Sequence, residues 1–185
     1  MVKQILKDTE DKMHKAVEVV RQELVKIRTG KATTVLLDSV KVEYYGSSVP
    51  LNQVANVSVL DVHTIAIQPW DKNMIKAIDQ AILAANLGLN PVSDGNLVRV
   101  PIPPLNEERR KELVKLIKKF AEDGKVAIRN VRRDAIEHLK KSEKAEHFSE
   151  DDRKRGEGEA QKITDKYIKE VDTLVAMKEK EIMEV

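Results

Sequence analysis

The 185-residue sequence contains no cysteine, and aromatic residues make up only 3% of it. The absence of cysteine excludes disulfides, thiol catalysis and thiolate metal sites. The scarcity of aromatic side chains predicts helices that pack through Leu, Ile, Val and Ala rather than an aromatic-rich β core. With 41% hydrophobic and 35% charged residues, we expect a globular and very soluble protein.

Signals for membranes and export are also missing from the sequence. No apolar run approaches the roughly 18 residues that a membrane span needs. The N-terminus, Met-Val-Lys-Gln-Ile-Leu-Lys-Asp, lacks a signal-like hydrophobic stretch and contains an acidic residue early, unlike a transit peptide. These features predict a cytoplasmic protein.

Residue patterns for catalysis are equally scarce. The histidines show no i,i+4 pairing with a carboxylate partner of the kind found in metal sites; they are His14, His63, His138 and His147. There is no glycine-rich phosphate loop, and no spacing supports a nucleophile–base pair. We therefore interpret the chain as a non-enzyme without a metal or a cofactor.

Three aromatic residues leave two interpretations open. Trp70, Tyr44 and Tyr45 are side chains that could stack on nucleic-acid bases. As the main aromatic residues of a small domain, they are more often packing residues. The second interpretation is the one that the sequence favours.

Charge is distributed unevenly along the chain, although the net charge is only +2. Residues 109–133 contain ten Lys or Arg against three Asp or Glu, a balance of +7. Residues 134–185 contain eleven basic and fifteen acidic residues, a balance of −4. Such a local excess of positive charge predicts a phosphate-binding surface.

The basic residues of this segment share one face of a predicted helix. At about 100° per residue, one sector collects the residues of what we call the cationic stripe: Lys111, Lys115, Lys118, Lys125, Arg129, Arg132 and Arg133. The opposite sector is apolar and contains Leu113, Ile117, Phe120, Ala127, Val131 and Ala135. A solvated helix face is the ordinary alternative, but three arginines close together favour phosphate.

Three long amphipathic helices are predicted outside the middle of the chain. The first covers about residues 3–28, with Leu6, Met13, Val20 and Ile27 repeating every seven residues. The second begins near residue 107 and extends for 35 to 40 residues. The third begins with the capping pattern at Ser149, and its predicted apolar residues are Ile163, Tyr167, Val171 and Leu174. Gly124, Gly156 and Gly158 are expected to weaken these helices.

The intervening residues 31–105 predict a small α/β domain. Strands are expected near residues 40–45, 54–59, 64–67 and 96–100, and Asp71 can cap a helix through about residue 85. None of the three outer helices can bury its apolar stripe alone. We therefore predict an α+β fold, in which a long antiparallel three-helix bundle (residues 1–29 and 106–185) carries an inserted β/α domain (residues 30–105). The two connections, one with glycine and one with prolines, predict a hinge.

Eight segments, in order along the chain, resemble the signature segments of the bacterial ribosome recycling factor family. They are residues 26–32, 42–46, 50–53, 87–91, 99–105, 108–111, 126–134 and 161–165. Any one of them is weak by itself, but together they cover essentially the whole chain and are highly specific.

The resemblance implies a cytoplasmic, non-enzymatic translation factor with an L-shaped, tRNA-like outline, acting as a monomer. Such a factor binds the intersubunit space of the ribosome after termination, with its bundle on large-subunit ribosomal RNA. Elongation factor G, using its own GTP, then drives subunit separation and release of mRNA and tRNA. The implied RNA-binding residues are Lys111, Lys118, Lys125, Arg129, Arg132 and Arg133, and the implied hinge residues are Arg28, Thr29, Gly30, Pro103, Pro104 and Leu105.

Departures from the family pattern and rival functions also follow from the sequence. His63 stands where arginine is common, which predicts a weaker surface contact of the inserted domain. A general RNA-binding or ribosome-associated stress protein would also use the polarised charge, but would not explain the double connection. A coiled-coil adaptor would not explain the arginine cluster. An enzyme fits the sequence least, because no pattern of catalytic residues is present.

Overall fold

The computed structural model describes residues 1–145 and 147–184, which form two compact units. The first unit consists of Met1–Arg28 together with Glu107–Glu184, and the second of Thr29–Asn106. In chain order the helices and strands are α1 (Val2–Val25), β1 (Lys41–Tyr44), β2 (Ser47–Pro50), β3 (Ala55–Asp61), β4 (Thr64–Pro69), α2 (Ile75–Ala84), β5 (Val92–Ser93), β6 (Val98–Pro101), α3 (Glu107–Lys144) and α4 (Glu150–Met183). Three long packed helices with a small sheet domain confirm the predicted fold class.

The direction of α3 relative to α4 is visible in the side-chain contacts between them. Lys125 Nζ lies 2.5 Å from a carboxylate oxygen of Asp172, and Arg132 Nη1 donates to Gln161 Oε1 over 2.9 Å. Partners later in α3 therefore meet residues earlier in α4, so the two helices are antiparallel. Ser149 begins α4 as predicted, because its hydroxyl accepts the backbone N–H of Asp152 over 3.2 Å.

Contacts between α1 and α4 show that these two helices run in the same direction. Lys166 Nζ lies 2.8 Å from Glu10 Oε1, and Arg21 Nη2 lies 3.2 Å from Glu170 Oε1. Residue numbers increase together, so α1 and α4 are parallel and α3 runs against both. The hydrogen bond and charge of Lys166 also lower the pKa of the Glu10 carboxyl.

Small side chains line the inner face of α4. Gly156, Ala160 and Thr164 follow one another at four-residue spacing and are buried. Burial of the Thr164 hydroxyl is tolerated because Oγ1 donates to the Ala160 carbonyl oxygen over 2.7 Å. The predicted apolar residues Ile163 and Leu174 are only half-buried. The sequence prediction missed this seam because small residues carry little hydrophobic signal.

Two of the three helical glycines are sites of close helix approach rather than weak points. A Cβ added at Gly124 of α3 would lie 2.3 Å from Cγ2 of Val20 on α1. At Gly156 a Cβ would lie 3.1 Å from a methyl group of Leu139. At Gly158 it would meet nothing within 4 Å. The expectation that all three only weaken their helices is therefore wrong for Gly124 and Gly156.

The second unit contains two antiparallel sheets. β3, β4, β6 and β5 form a four-stranded sheet in that order, and β1 pairs with β2 in a separate hairpin. β3 is an edge strand whose register with β4 shifts between Val59 and Asp61, which marks a β-bulge at Leu60. Val59 and Leu60 are exposed along this edge.

The core of the second unit lies between the sheets and α2. Its fully buried side chains include Ile65 and Ile67 of β4 and Ile78 and Ile82 of α2. Asp71 is a helix cap as predicted, but the element that it caps is a short 3₁₀ turn before α2. Its carboxylate accepts a hydrogen bond from the backbone N–H of Asn73.

Strands β2 and β5 were not predicted from the sequence. β2 follows a two-residue turn in which Tyr45 and Gly46 have φ values of 46° and 81°. This pair of positive φ values belongs to a type I′ hairpin turn, in which the first position rarely holds tyrosine. The sequence Ser47-Ser-Val-Pro50 also lacks a strong alternating pattern, so its pairing is set by the turn.

We predict opposite effects of alanine at two glycines within α3 and α4. Gly158→Ala should raise the free energy of unfolding by about 0.5–1 kcal/mol, because it restores helix propensity in open space. Gly124→Ala should lower it by about 1–3 kcal/mol, because the new methyl group collides with Val20, whose β-branched side chain has one preferred helix rotamer. Urea denaturation of both variants measures the difference. An equal increase in the free energy of unfolding of both variants would show that α1 and α3 can move apart without loss of stability.

Candidate nucleic-acid interface

The cationic stripe lies on α3, the longest helix of the chain. Thirty-eight residues give this helix a length of about 57 Å, and residues 111–133 cover about 33 Å of it. Glu107 and Glu108 occupy its first turn, where acidic side chains favour the helix dipole. The basic side chains are therefore held in fixed order along one rigid element.

Three stripe residues present unpaired cations. Lys115, Lys118 and Arg133 are exposed and have no hydrogen-bond or ion-pair partner within residues 1–145 and 147–184. Lys111 is also exposed, although its Nζ lies 2.8 Å from Glu107 Oε1 one turn earlier. An exposed pair of this kind contributes little to folding and separates readily. All four cations are accessible to a large anionic partner.

Two other stripe residues lie against α4. Lys125 is half-buried beside Asp172, and Arg132 is half-buried beside Gln161. The buried face of α3 includes Ala121, Gly124 and Ile128, and it is rotated by about 40° toward the stripe relative to the predicted apolar sector. The reason is that α3 packs against both α1 and α4, so its buried face points between them.

Arg129 has an acidic partner inside the stripe itself. Its guanidinium forms a close ion pair with Glu122, two turns earlier on the same face of α3. Both side chains remain accessible, with exposed fractions of 37% for Arg129 and 61% for Glu122. The sequence prediction counted Glu122 only in the net charge. Its spacing of seven residues from Arg129 was the signal that could have shown the pairing.

The stripe as a whole is therefore a partly neutralised cationic surface. Arg129, Arg132 and Arg133 lie within about one helical turn and provide planar donors that suit phosphate oxygens. Lys111, Lys118 and Lys125 extend the same charge toward the start of α3. A row of such cations can contact several phosphate groups of a nucleic-acid backbone at once.

The inserted unit exposes aromatic side chains that the sequence analysis had interpreted as packing residues. Trp70 is 70% exposed and Tyr45 is 83% exposed, so that interpretation is wrong for both. Trp70 borders an open groove of about 590 Å³, which Asp38, Asn52 and Asn56 also line. The charged residue that lines this groove, Asp38, is exposed rather than buried. The cationic stripe is therefore the better candidate interface.

The predicted hinge residues lie in two segments without regular secondary structure. Thr29 is buried at 7% exposure, and Gly30 has a φ of 76°, a conformation that favours glycine. Arg28, Pro103 and Pro104 are exposed, and Leu105 is half-buried.

Two kinds of feature are absent from residues 1–145 and 147–184. There, no cluster of three or more His, Asp or Glu side chains is arranged to hold a metal ion. None of the helices in the same residues combines the length and apolarity needed to cross a membrane.

A protein-family model described as ribosome recycling factor matches residues 20–183 of this chain. Among curated proteins, the ribosome-recycling factor of Symbiobacterium thermophilum is 59% identical over 185 residues, covering 100% of both chains. That of Ralstonia pickettii is 55% identical over 184 residues, covering 100% of this chain and 99% of the relative.

Solved structures give a consistent comparison. A solution structure of a ribosome recycling factor has a TM-score of 0.77 at 48% identity, covering 100% of this chain and 98% of that one. A second similar chain comes from models of the T. thermophilus ribosome recycling factor and E. coli elongation factor G bound to the E. coli post-termination complex. Its TM-score is 0.65 at 49% identity, with 98% of each chain covered.

We predict that removing the acidic partner of Arg129 strengthens RNA binding. Glu122→Gln should raise the affinity for a structured RNA by roughly two- to fivefold at low salt, because one repulsive charge leaves the stripe and Arg129 is released. Asp123→Asn is the matched control, since it removes the same charge from the neighbouring residue on another face of α3. Equal effects in a salt-controlled binding titration would mean that only net charge matters.

Proposed function

The chain belongs to the ribosome recycling factor family, and on that basis we propose that it disassembles the post-termination ribosomal complex together with elongation factor G and GTP. The products are separated subunits, mRNA and deacylated tRNA, ready for a new round of translation. The observation that carries the proposal is full-length identity of 59% to a ribosome-recycling factor, joined to a cationic stripe on a rigid helix.

The first proposed step is binding of the bundle to large-subunit ribosomal RNA in the intersubunit space. Lys111, Lys118, Lys125, Arg129, Arg132 and Arg133 are the residues that would contact phosphate groups. Support comes from their shared face on α3 and from the accessibility of the unpaired cations Lys118 and Arg133. Release of in-chain partners by Arg129 and Lys125 would accompany this step.

The second proposed step is mechanical. Elongation factor G would displace the bound factor, and movement at Arg28, Thr29, Gly30, Pro103, Pro104 and Leu105 would transmit strain to the contacts between the ribosomal subunits. The double connection supports this step, because two linkers restrict motion to fewer directions than one. A single flexible linker would dissipate the displacement.

The chemistry in this proposal belongs to the partner. The chain itself would bind no cofactor and hydrolyse no nucleotide, and GTP would be consumed by elongation factor G. We further propose that it acts as a monomer in the cytoplasm. These proposals rest on the family assignment, and the reconstitution below tests the dependence on elongation factor G and GTP.

Light scattering of post-termination ribosomes tests the function directly. Scattering should fall only when the factor, elongation factor G and GTP are all present, because separated subunits scatter less than intact ribosomes. A non-hydrolysable GTP analogue and omission of each component serve as controls. Confirmed binding without any fall, with a translocase that is active with a reference factor, would instead favour an RNA-binding protein that occupies the ribosome without splitting it.

We predict that Arg133→Ala weakens ribosome binding without affecting the fold. Loss of one phosphate contact should reduce the slope of log K against log salt by roughly one unit. The free energy of unfolding should change by less than about 0.5 kcal/mol, because Arg133 is exposed and has no partner among the residues described. Lys162→Ala, which removes an exposed cation from α4, is the matched control. A salt slope that stays constant for Arg133→Ala would remove this residue from the interface.

A further inference from the structure

The turn between β3 and β4 has a defined internal structure. Asp61 pairs with Thr64 across the hairpin, and Val62 and His63 connect them. The backbone N–H of His63 donates to Asp61 Oδ1 over 2.8 Å. This hydrogen bond lowers the pKa of the Asp61 carboxyl, so the carboxylate holds the turn above that pKa and the support is lost as the pH falls through it.

Both linker segments form hydrogen bonds with this turn. The backbone N–H of Ala32 donates to the Val62 carbonyl oxygen over 2.7 Å, and the N–H of Ile102 donates to the His63 carbonyl oxygen over 2.7 Å. Ala32 lies in the segment that enters the second unit, and Ile102 in the segment that leaves it. One two-residue turn thus holds the incoming and outgoing chain side by side.

The side chain of His63 adds a third contact. Its Nδ1 lies 3.2 Å from the carbonyl oxygen of Gly30. A carbonyl oxygen can only accept, so Nδ1 must carry the proton and donate. Gly30 is buried and has a φ of 76°, a conformation that few other residues adopt.

We propose that His63 is a positioning residue that fixes the point at which the two linkers begin to bend. We call the three hydrogen bonds that join Gly30, Ala32 and Ile102 to the β3–β4 turn the linker clasp. The proposal rests on the hinge-based function proposed above and names the group that sets its pivot. The weaker surface contact expected at His63 stays a separate prediction.

The linker clasp has a mechanical consequence. With Gly30 and Ala32 held on one side and Ile102 on the other, bending is confined to the short segments that lead from these residues into α1 and α3. Because both segments are held by the same turn, they must pivot together. Loss of the His63 contact would move the anchoring point of the incoming segment from Gly30 to Ala32, so this segment would gain two residues and a wider range of bending.

A matched pair of substitutions isolates the side-chain contact. His63→Asn retains an N–H donor on the atom that corresponds to Nδ1, whereas His63→Leu has the same branching without a donor. Both leave the backbone hydrogen bonds of Val62 and His63 available. Because His63 is exposed, neither substitution removes a core side chain.

Distance measurements on the free protein test the linker clasp first. Since the chain has no cysteine, spin labels can be placed uniquely at Lys76→Cys on α2 and Lys140→Cys on α3, both exposed positions. The distance distribution should broaden with His63→Leu and stay at the wild-type width with His63→Asn. Equal widths in all three proteins would overturn the proposal.

Ribosome splitting tests the consequence for function. His63→Leu should slow splitting by about two- to tenfold, the range expected for loss of one hydrogen bond, while ribosome affinity changes by less than about twofold and His63→Asn restores the rate. Undiminished splitting, or loss of binding in parallel with splitting, would contradict a positioning role. If wild-type protein does not split ribosomes, the proposed function fails, yet the distance measurement still decides whether the clasp exists.

Discussion

The structure depends on the close approach of α1 and α3 at Gly124. A β carbon there would lie 2.3 Å from Val20, so the distance between the two helices is set by the absence of a side chain. The small residues Gly156, Ala160 and Thr164 also allow α4 to pack closely against its neighbours. Because α3 is fixed on its inner face, the cationic side chains on its outer face keep constant relative positions. Tight packing and the display of the cationic stripe are therefore properties of the same helix.

Carboxylates of the chain itself partly neutralise the positive charge of the cationic stripe. Glu122 pairs with Arg129, and Asp172 pairs with Lys125. In the proposed function these pairs would compete with phosphate, so they would lower the affinity for any single phosphate and favour partners that contact many stripe residues at once. In the proposed function, Lys118 and Arg133, which have no partner among residues 1–145 and 147–184, would provide the initial attraction. An extended, rigid RNA surface satisfies both requirements better than a flexible strand.

The sequence predicted those features that depend on period and net charge. Helical repeats located α1, α3 and α4, and the same period placed the basic residues on one face of α3. The sequence did not predict features that depend on contacts between distant residues. Examples are the packing of Gly124 on Val20 and the hydrogen bond from His63 to Gly30. Strand β2 was missed because its pairing is imposed by the Tyr45–Gly46 turn rather than by alternating hydrophobic residues.

The bulge at Leu60 has a consequence for the behaviour of the protein at high concentration. β3 is an edge strand with exposed Val59 and Leu60, and a flat edge of this kind is a template for pairing with another chain. The register shift between Val59 and Asp61 interrupts the row of free backbone groups. The bulge thereby disfavours extension of the sheet from this edge, where apolar side chains are exposed.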